Sequence, residues 1–280
     1  MFGVSPAYFI SRFSDRFSCK DIARSLTDLM KSGFEAFQPE IFHAAHLDDW
    51  RSEGAFLIKK AADATGLVAS QFVGHFLLHA FESPEALESD LGPLETEKVL
   101  EGLRHFPECT TVTVALPAFA PEKPEQLTAA AWAGYRSRFV EKLGRMLEII
   151  EKDGRRMALE ITPGSLAGGM HGFLRLCDEL ASPALGYNFD TGHAWSSKEW
   201  VPLIPAALGR RIFGTHLKDN FQNENLALAP GQGSIPWKAT AAALKASGYA
   251  GSWDIELRCE AGRAVAEYEQ ALAFLKPLVG

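Results

Sequence analysis

"YRSRFVEKLGRMLEIIEKDGRRMALEIT", residues 135–162, holds in one pass the unit from which the chain is built. A long helical stretch runs to Gly154, and the short apolar run 156–162 reads as a buried strand. The same unit recurs on both sides. Upstream, strand candidates stand at 1–5, 34–42, 67–74 and 110–119; downstream they stand at 184–190, 211–217 and 251–257. Between the first two, "CKDIARSLTDLMKSG" places Ile22, Leu26, Leu29 and Met30 at helical spacing, and Gly33 is a plausible stop. A final amphipathic helix runs through "GRAVAEYEQALAFLKPL".

That makes eight strand candidates, each followed by a helical stretch, with no Pro- or Ser-rich linker and no break in composition. Short, nearly continuous apolar strands alternating with helices imply a parallel sheet covered by helices. Eight such units in 280 residues fit one α/β domain over residues 1–280, a single (β/α)8 TIM barrel. A doubly wound open sheet would use fewer strands and often a Gly-rich first turn, and "MFGVSP" carries no G-x-G-x-x-G.

The composition, 47% hydrophobic and 22% charged, is that of a globular protein. A net charge of −7 without any Lys/Arg tract gives no electrostatic footprint for nucleic acid or an anionic membrane surface. Cys19, Cys109, Cys177 and Cys259 stand far apart and form no C-x-x-C pair, which suits reduced, mostly buried thiols. The first residues lack a signal-peptide pattern, and nowhere do about 20 apolar residues run together. A cytoplasmic protein is the expectation; a homo-oligomer stays open.

Charged residues interrupt the apolar strands at regular places. Glu160 sits in "MALEIT", Asp190 ends "LGYNFD", His216 ends "IFGTH" and Glu256 sits in "SWDIEL", at gaps of 30, 26 and 40 residues. A barrel unit averages about 30 residues, so these four fall near the C-terminal ends of the fifth to eighth strands, on the face where barrels carry their active sites. Any one carboxylate there could simply cap a helix or pair with a lysine. Three together would repel strongly if buried, and a divalent cation offsets such a cluster. Three carboxylates and one imidazole are a mostly oxygen set, which favours Mn²⁺, Mg²⁺ or Co²⁺ over a thiolate-type zinc site, with Zn²⁺ still possible; of these, one Mn²⁺ is the expectation. The triplet Asp190-Thr191-Gly192 also spells the D-T-G of aspartic proteases. Those are all-β and need two such aspartates, and this βα chain has one copy.

With those residues in place, "ALEIT", "FDTGHAW", "GTHLKDN" and "WDIEL" resemble the strand-end motifs of the xylose isomerase-like barrels. Within them, the sugar (and sugar phosphate) isomerase/epimerase group, including the ketose 3-epimerases and the inosose dehydratases, is the most similar. The resemblance implies one divalent metal held by Glu160, Asp190, His216 and Glu256. It also implies that Glu160 and Glu256 are the acid/base pair, and that His193 contacts substrate oxygens. The implied reaction is proton transfer next to a carbonyl on a small polyhydroxy ketone or aldehyde, giving isomerisation or epimerisation. A metal-dependent dehydratase of inosose or dehydroshikimate type is the alternative, and a non-catalytic sugar-binding barrel the second.

The chain also departs from the ketose 3-epimerases. Gln222 stands where those enzymes commonly carry an Arg six residues after the metal His, and Pro236 precedes Trp237 where an acidic residue is frequent. "HLKDN" looks more like the less characterised epimerase and inosose-dehydratase branches. The further histidines of endonuclease IV, another barrel relative, are missing: the fourth strand ends "ALPAF" and no D-x-H follows His216. Further candidates for substrate contact are His75, rather than His79, Lys218, Arg258 and Gln38, with Glu40 beside the last. Trp195, Trp237 and Trp253 are candidates for stacking on a sugar, against plain packing. Glu267 and Glu269 read as a solvated face.

Overall fold

The computed structural model describes the backbone of residues 1–280 and every side chain other than that of Pro124. Ten short strands make the barrel wall: β1 (Phe2–Val4), β2 (Ala36–Phe37), β3 (Glu40–Ile41), β4 (Val68–Ala69), β5 (Phe72–Gly74), β6 (Thr111–Leu116), β7 (Arg156–Ile161), β8 (Leu185–Asp190), β9 (Ile212–His216) and β10 (Trp253–Ile255). Every strand pair is parallel. The strands run β10-β1-β2-β4 on one arc and β3-β5-β6-β7-β8-β9 on the other.

The two arcs close into one ring of eight staves. β2 and β3 are two halves of the second stave, and β4 and β5 of the third. Pro39 breaks the second because it has no N–H for the ladder, yet its carbonyl still accepts from Val73 N at 3.0 Å. At the other seam, Leu217 N donates to Asp254 O at 2.9 Å and Glu256 N donates to Leu217 O at 3.0 Å. The barrel expected from the eightfold alternation is the one observed. The eighth strand is shorter than its apolar run, so Glu256 lies one residue past the end of β10, held by that last bond to Leu217.

The helices form where the pattern placed them. Helix Cys19–Lys31 opens with a capping box: Ser18 Oγ accepts from Asp21 N at 3.3 Å, and Asp21 Oδ2 accepts from Ser18 N at 2.8 Å. Gly33, at φ +81°, turns the chain out of it. Ile22, Leu26 and Leu29 are buried, but Met30 is 41% exposed. One residue past Leu29 is a rotation of about 100°, which carries Met30 off the apolar stripe. The run 50–66 begins as a π-helical turn, Trp50–Gly54, before helix Ala55–Thr65. Trp50 is wholly buried there, and its indole N–H donates to Val99 O at 3.0 Å.

Three cysteines are buried and Cys259 is half-buried; all four are free thiols. Glu269 is exposed as expected. Glu267 is half-buried and pairs with Arg263 at 2.9 Å. Among the described residues no helix is long and apolar enough to cross a membrane.

Below the strand ends, the barrel interior is polar where aliphatic layers would be usual. Gln38, Gln71, Asn188 and Asp254 are all buried. Because side chains alternate along a strand, Asn188 and Asp254 share the inward face with Asp190 and Glu256, two residues on.

The bonds of the Ser18 side chain run to Asp21, within the cap of helix Cys19–Lys31 itself. Ser18→Ala is expected to cost about 1 kcal/mol, read as a lower urea midpoint with an unchanged slope and no change in ligand binding.

Candidate active site

The barrel brings the four predicted strand-end residues to one point. Asp190 and His216 are direct partners in the β8–β9 register, and Glu160 and Glu256 flank them from the fifth and eighth staves. His216 Nδ1 lies 2.7 Å from Glu160 Oε2, 2.9 Å from Glu256 Oε2 and 3.7 Å from Asp190 Oδ2. Asp190, His216 and Glu256 each offer a ligand atom within 4.8 Å of the others, and so do Glu160, Asp190 and His193. His193 Nε2 is 3.3 Å from Glu160 Oε1.

Lys218, a predicted substrate contact, reaches deeper than that role requires. Its ammonium is 2.7 Å from Asp190 Oδ2 and forms a second, closer ion pair with Glu256. It lines the cavity and also neutralises the carboxylates. Burial alone would lower the Lys218 pKa, but Asp190 and Glu256 outweigh it and hold the amine protonated. His216 follows the same pattern: burial opposes charge, and Glu256 and Glu160 raise its pKa well above the ordinary histidine range. Burial likewise works against ionised Glu160 and Glu256. The charges of His216 and Lys218 prevail, and both carboxyls are held well below their usual range, ionised at neutral pH.

A second layer of side chains orients these groups. Gln38 was predicted to meet substrate; instead it is fully buried behind His216, and its Oε1 lies 2.8 Å from His216 Nε2. That contact assigns the Nε2 proton and turns Nδ1 toward the carboxylates. Asn188 Nδ2 donates to Glu160 Oε2 at 3.3 Å, and Gln71 Nε2 donates to Asn188 Oδ1 at 3.0 Å. Asp254 accepts from Ser252 Oγ at 2.7 Å, and burial lifts its pKa to about 6 against the hydrogen bonds of Ser252 and Gln38. Asn188 and Asp254 escaped the sequence reading. The available signal was a polar residue two positions before Asp190 and before Glu256.

The D-T-G-H stretch has a structural account. Asp190 caps the short helix Thr191–Ser196, its Oδ1 accepting from His193 N at 2.8 Å. Thr191 Oγ1 donates to Lys218 O at 2.6 Å and accepts from Lys218 N at 3.0 Å. A Cβ on Gly192 would stand 2.6 Å from Lys218 Cγ, so glycine here makes room for the buried lysine.

Above the cluster is a cavity of about 360 Å³, with Glu160, His193, His216, Lys218 and Glu256 among its lining residues. That volume suits a small molecule. Its walls include His75, Arg258, Glu40, Phe42 and Asn225. His75 stacks on Phe42 at 4.1 Å, and burial lowers its pKa. His79 is exposed and sits 2.9 Å from Glu82. Gln222 does not line the cavity; Asn225, from the same loop, does. Trp195, Trp237 and Trp253 are buried and also absent from the lining. Trp195 Nε1 donates to Ser234 Oγ and Trp237 Nε1 to Asp219 Oδ2, so these indoles brace the loop.

Asp219 organises that long loop after β9. Its carboxylate accepts from Asn220 N at 2.9 Å, Ile235 N at 3.1 Å, Gly231 N at 3.0 Å and Trp237 Nε1 at 2.7 Å. In "HLKDN" the lysine therefore faces the site and the aspartate ties down the loop.

The donor set suits a divalent cation. Asp190 Oδ2 and His216 Nδ1 are buried with no hydrogen bond in line, although charged groups surround both. Hard oxygens with one imidazole nitrogen are what such an ion takes.

Residues 26–278 match the family model of the xylose isomerase-like TIM barrel. The chain belongs to that family. Among solved structures, D-psicose 3-epimerase with D-tagatose from Clostridium cellulolyticum H10 superimposes with a TM-score of 0.79 at 16% identity, covering 99% of both chains. The IolI protein with a bound zinc atom gives 0.77 at 15% identity, covering 99% of this chain and 97% of that one. At such identities the likeness establishes the barrel. An uncharacterized protein of Methanocaldococcus jannaschii is 26% identical over 184 residues, 62% of this chain and 60% of that protein's length. The chain therefore matches less than two thirds of the length of that curated relative.

Asp219→Ala leaves two buried backbone N–H groups, the more exposed Gly231 N–H and one buried indole N–H without their acceptor. A loss of about 3 kcal/mol is expected. Limited proteolysis should show new cleavage within residues 220–235, while Asp219→Asn restores part of the protection.

Proposed function

We propose that the protein is a divalent-metal-dependent isomerase or epimerase acting on a small polyhydroxy ketone or aldehyde. The observation that supports it most is a pair of ionised glutamates, Glu160 and Glu256, on either flank of the Asp190–His216 pair at the floor of a small-molecule cavity. Glu160, Asp190, His216 and Glu256 would hold the ion. We place Mn²⁺ there first, ahead of Mg²⁺, Co²⁺ and Zn²⁺.

A carbon-bound proton beside a carbonyl is too weakly acidic for an unaided carboxylate at neutral pH. When bound, the ion would polarise the carbonyl and its neighbouring hydroxyl and stabilise the negative charge that develops there. One glutamate takes the proton from one face, and the other returns one to the opposite face or the neighbouring carbon. His193, on the Glu160 side, holds a substrate oxygen, and the Lys218 ammonium balances charge beside Glu256. His75 and Arg258 border the substrate from the walls.

One feature favours a second reading, a dehydratase. An ammonium that lines the cavity against Glu256 could protonate a departing hydroxyl, which epimerisation does not require. Incubating ketoses and inososes with protein and Mn²⁺ in D₂O separates the outcomes by mass. Epimerisation adds deuterium and keeps the carbon skeleton hydrated; dehydration loses water; a binding module does neither.

Metal affinity tests the ligand set without a substrate. Glu160→Gln is expected to weaken Mn²⁺ binding at least about tenfold, and Gln38→Leu by about 10- to 100-fold through a mis-oriented His216. Unchanged titration isotherms for both variants would refute the assignment.

The raised pKa of His216 adds a pH dependence. The ligand form is the neutral imidazole, so below that pKa binding must expel about one proton. Apparent Mn²⁺ affinity should therefore rise about tenfold per pH unit there and level off above it. Calorimetry in two buffers of different ionisation enthalpy counts the proton directly, and His216→Gln removes it.

A further inference from the structure

We propose that Glu40 is a substrate-contacting residue: its carboxyl takes a hydroxyl of the polyhydroxy chain at the cavity wall, beyond the atoms held at the metal position. The proposal rests on the isomerase reading and adds a recognition element to it.

Glu40 stands on β3, is 4% exposed and lines the cavity. Five carboxylates are buried in this protein: Glu40, Glu160, Asp190, Asp219 and Asp254. Four of them have partners. Asn188 donates to Glu160, the His193 amide to Asp190, Ser252 to Asp254, and four donors reach Asp219. Among the described residues, no hydrogen bond or ion pair reaches the Glu40 carboxyl, and its Oε2 is shut off from solvent.

The fold gains nothing from such a group. A buried polar atom without a partner is a net cost, and an aliphatic side chain of similar size would remove it. Glu40 does not complete the metal site either, since it belongs to neither set of ligand atoms that cluster within 4.8 Å. Burial and the charges of Glu256 and Glu160 both oppose its ionisation. The side chain lines the cavity, and Oε1, the carboxyl oxygen that is not shut off there, is the one a substrate hydroxyl can meet. A buried polar group kept at a cost to stability and facing a ligand cavity marks a functional position.

The test compares Glu40→Leu and Glu40→Gln with the wild-type protein, using D-fructose, D-tagatose and D-allulose with Mn²⁺ in D₂O. For the best of these sugars, Glu40→Leu should lower kcat/KM for exchange by about 30-fold, the fold-change of one lost hydrogen bond to a carboxyl. Glu40→Gln keeps the shape and one acceptor oxygen and should stay within about tenfold of wild type. In both variants Mn²⁺ affinity should stay within about twofold, and the Tm of Glu40→Leu should equal or exceed that of wild type. Exchange by Glu40→Leu at the wild-type rate would overturn the proposal. So would lost exchange accompanied by a lower Tm or weaker Mn²⁺ binding, which would make Glu40 structural. If the wild-type protein exchanges no proton with any of these sugars or with the wider set of ketoses and inososes, the isomerase reading itself fails, and the Glu40 role with it.

Discussion

Glu160, Asp190 and Glu256 meet around one imidazole at the mouth of the barrel, almost wholly out of water. Two like charges about 4 Å apart repel by about 4 kcal/mol even at an effective dielectric of 20. Three carboxylates so placed demand positive charge, and the surrounding structure is arranged to provide it. His216 and Lys218 are both held protonated against the penalty of their own burial. A divalent ion would meet the same demand with more charge and would displace a proton from His216.

The local architecture follows from that demand. Lys218 can reach Asp190 and Glu256 because Gly192 offers no Cβ in its path and Thr191 fixes its backbone at both the N–H and the carbonyl. The polypeptide then has to leave β9 without pulling the lysine away, and Asp219 gathers the following loop with four hydrogen bonds. Beneath the cluster, Gln38 and Asn188 each spend a buried amide on orienting one site residue. The interior at this level is consequently polar.

Much of this was legible in the residue pattern. The eightfold alternation named the barrel, and the places of Glu160, Asp190, His216 and Glu256 at the ends of four successive apolar runs put them on successive strand ends. The parts that were not legible depend on which residue faces which. Gln38 was expected to touch substrate and instead supports His216, because it lies two residues deeper along its stave than the cavity-lining Glu40. For Trp195, Trp237 and Trp253 the sequence left stacking on a sugar open against plain packing; the structure has them buried, with Trp195 and Trp237 bracing the loop after β9. Met30 fell off its helix stripe by a single residue.

The sequence by itself determined the period of the chain, and with it the number of staves and the face on which the charged strand ends converge. Those properties are local: they depend on the alternation of apolar runs and helical stretches, which each segment carries alone. Only the tertiary structure decided that Lys218 belongs among the carboxylates, that Gln38 lies behind His216 and that Glu40 stands unpartnered at the cavity wall. Each of these is a matter of distances across the barrel, between residues 28 to 178 positions apart where they are in contact. Ring closure sets such distances, and no run of neighbouring residues contains them.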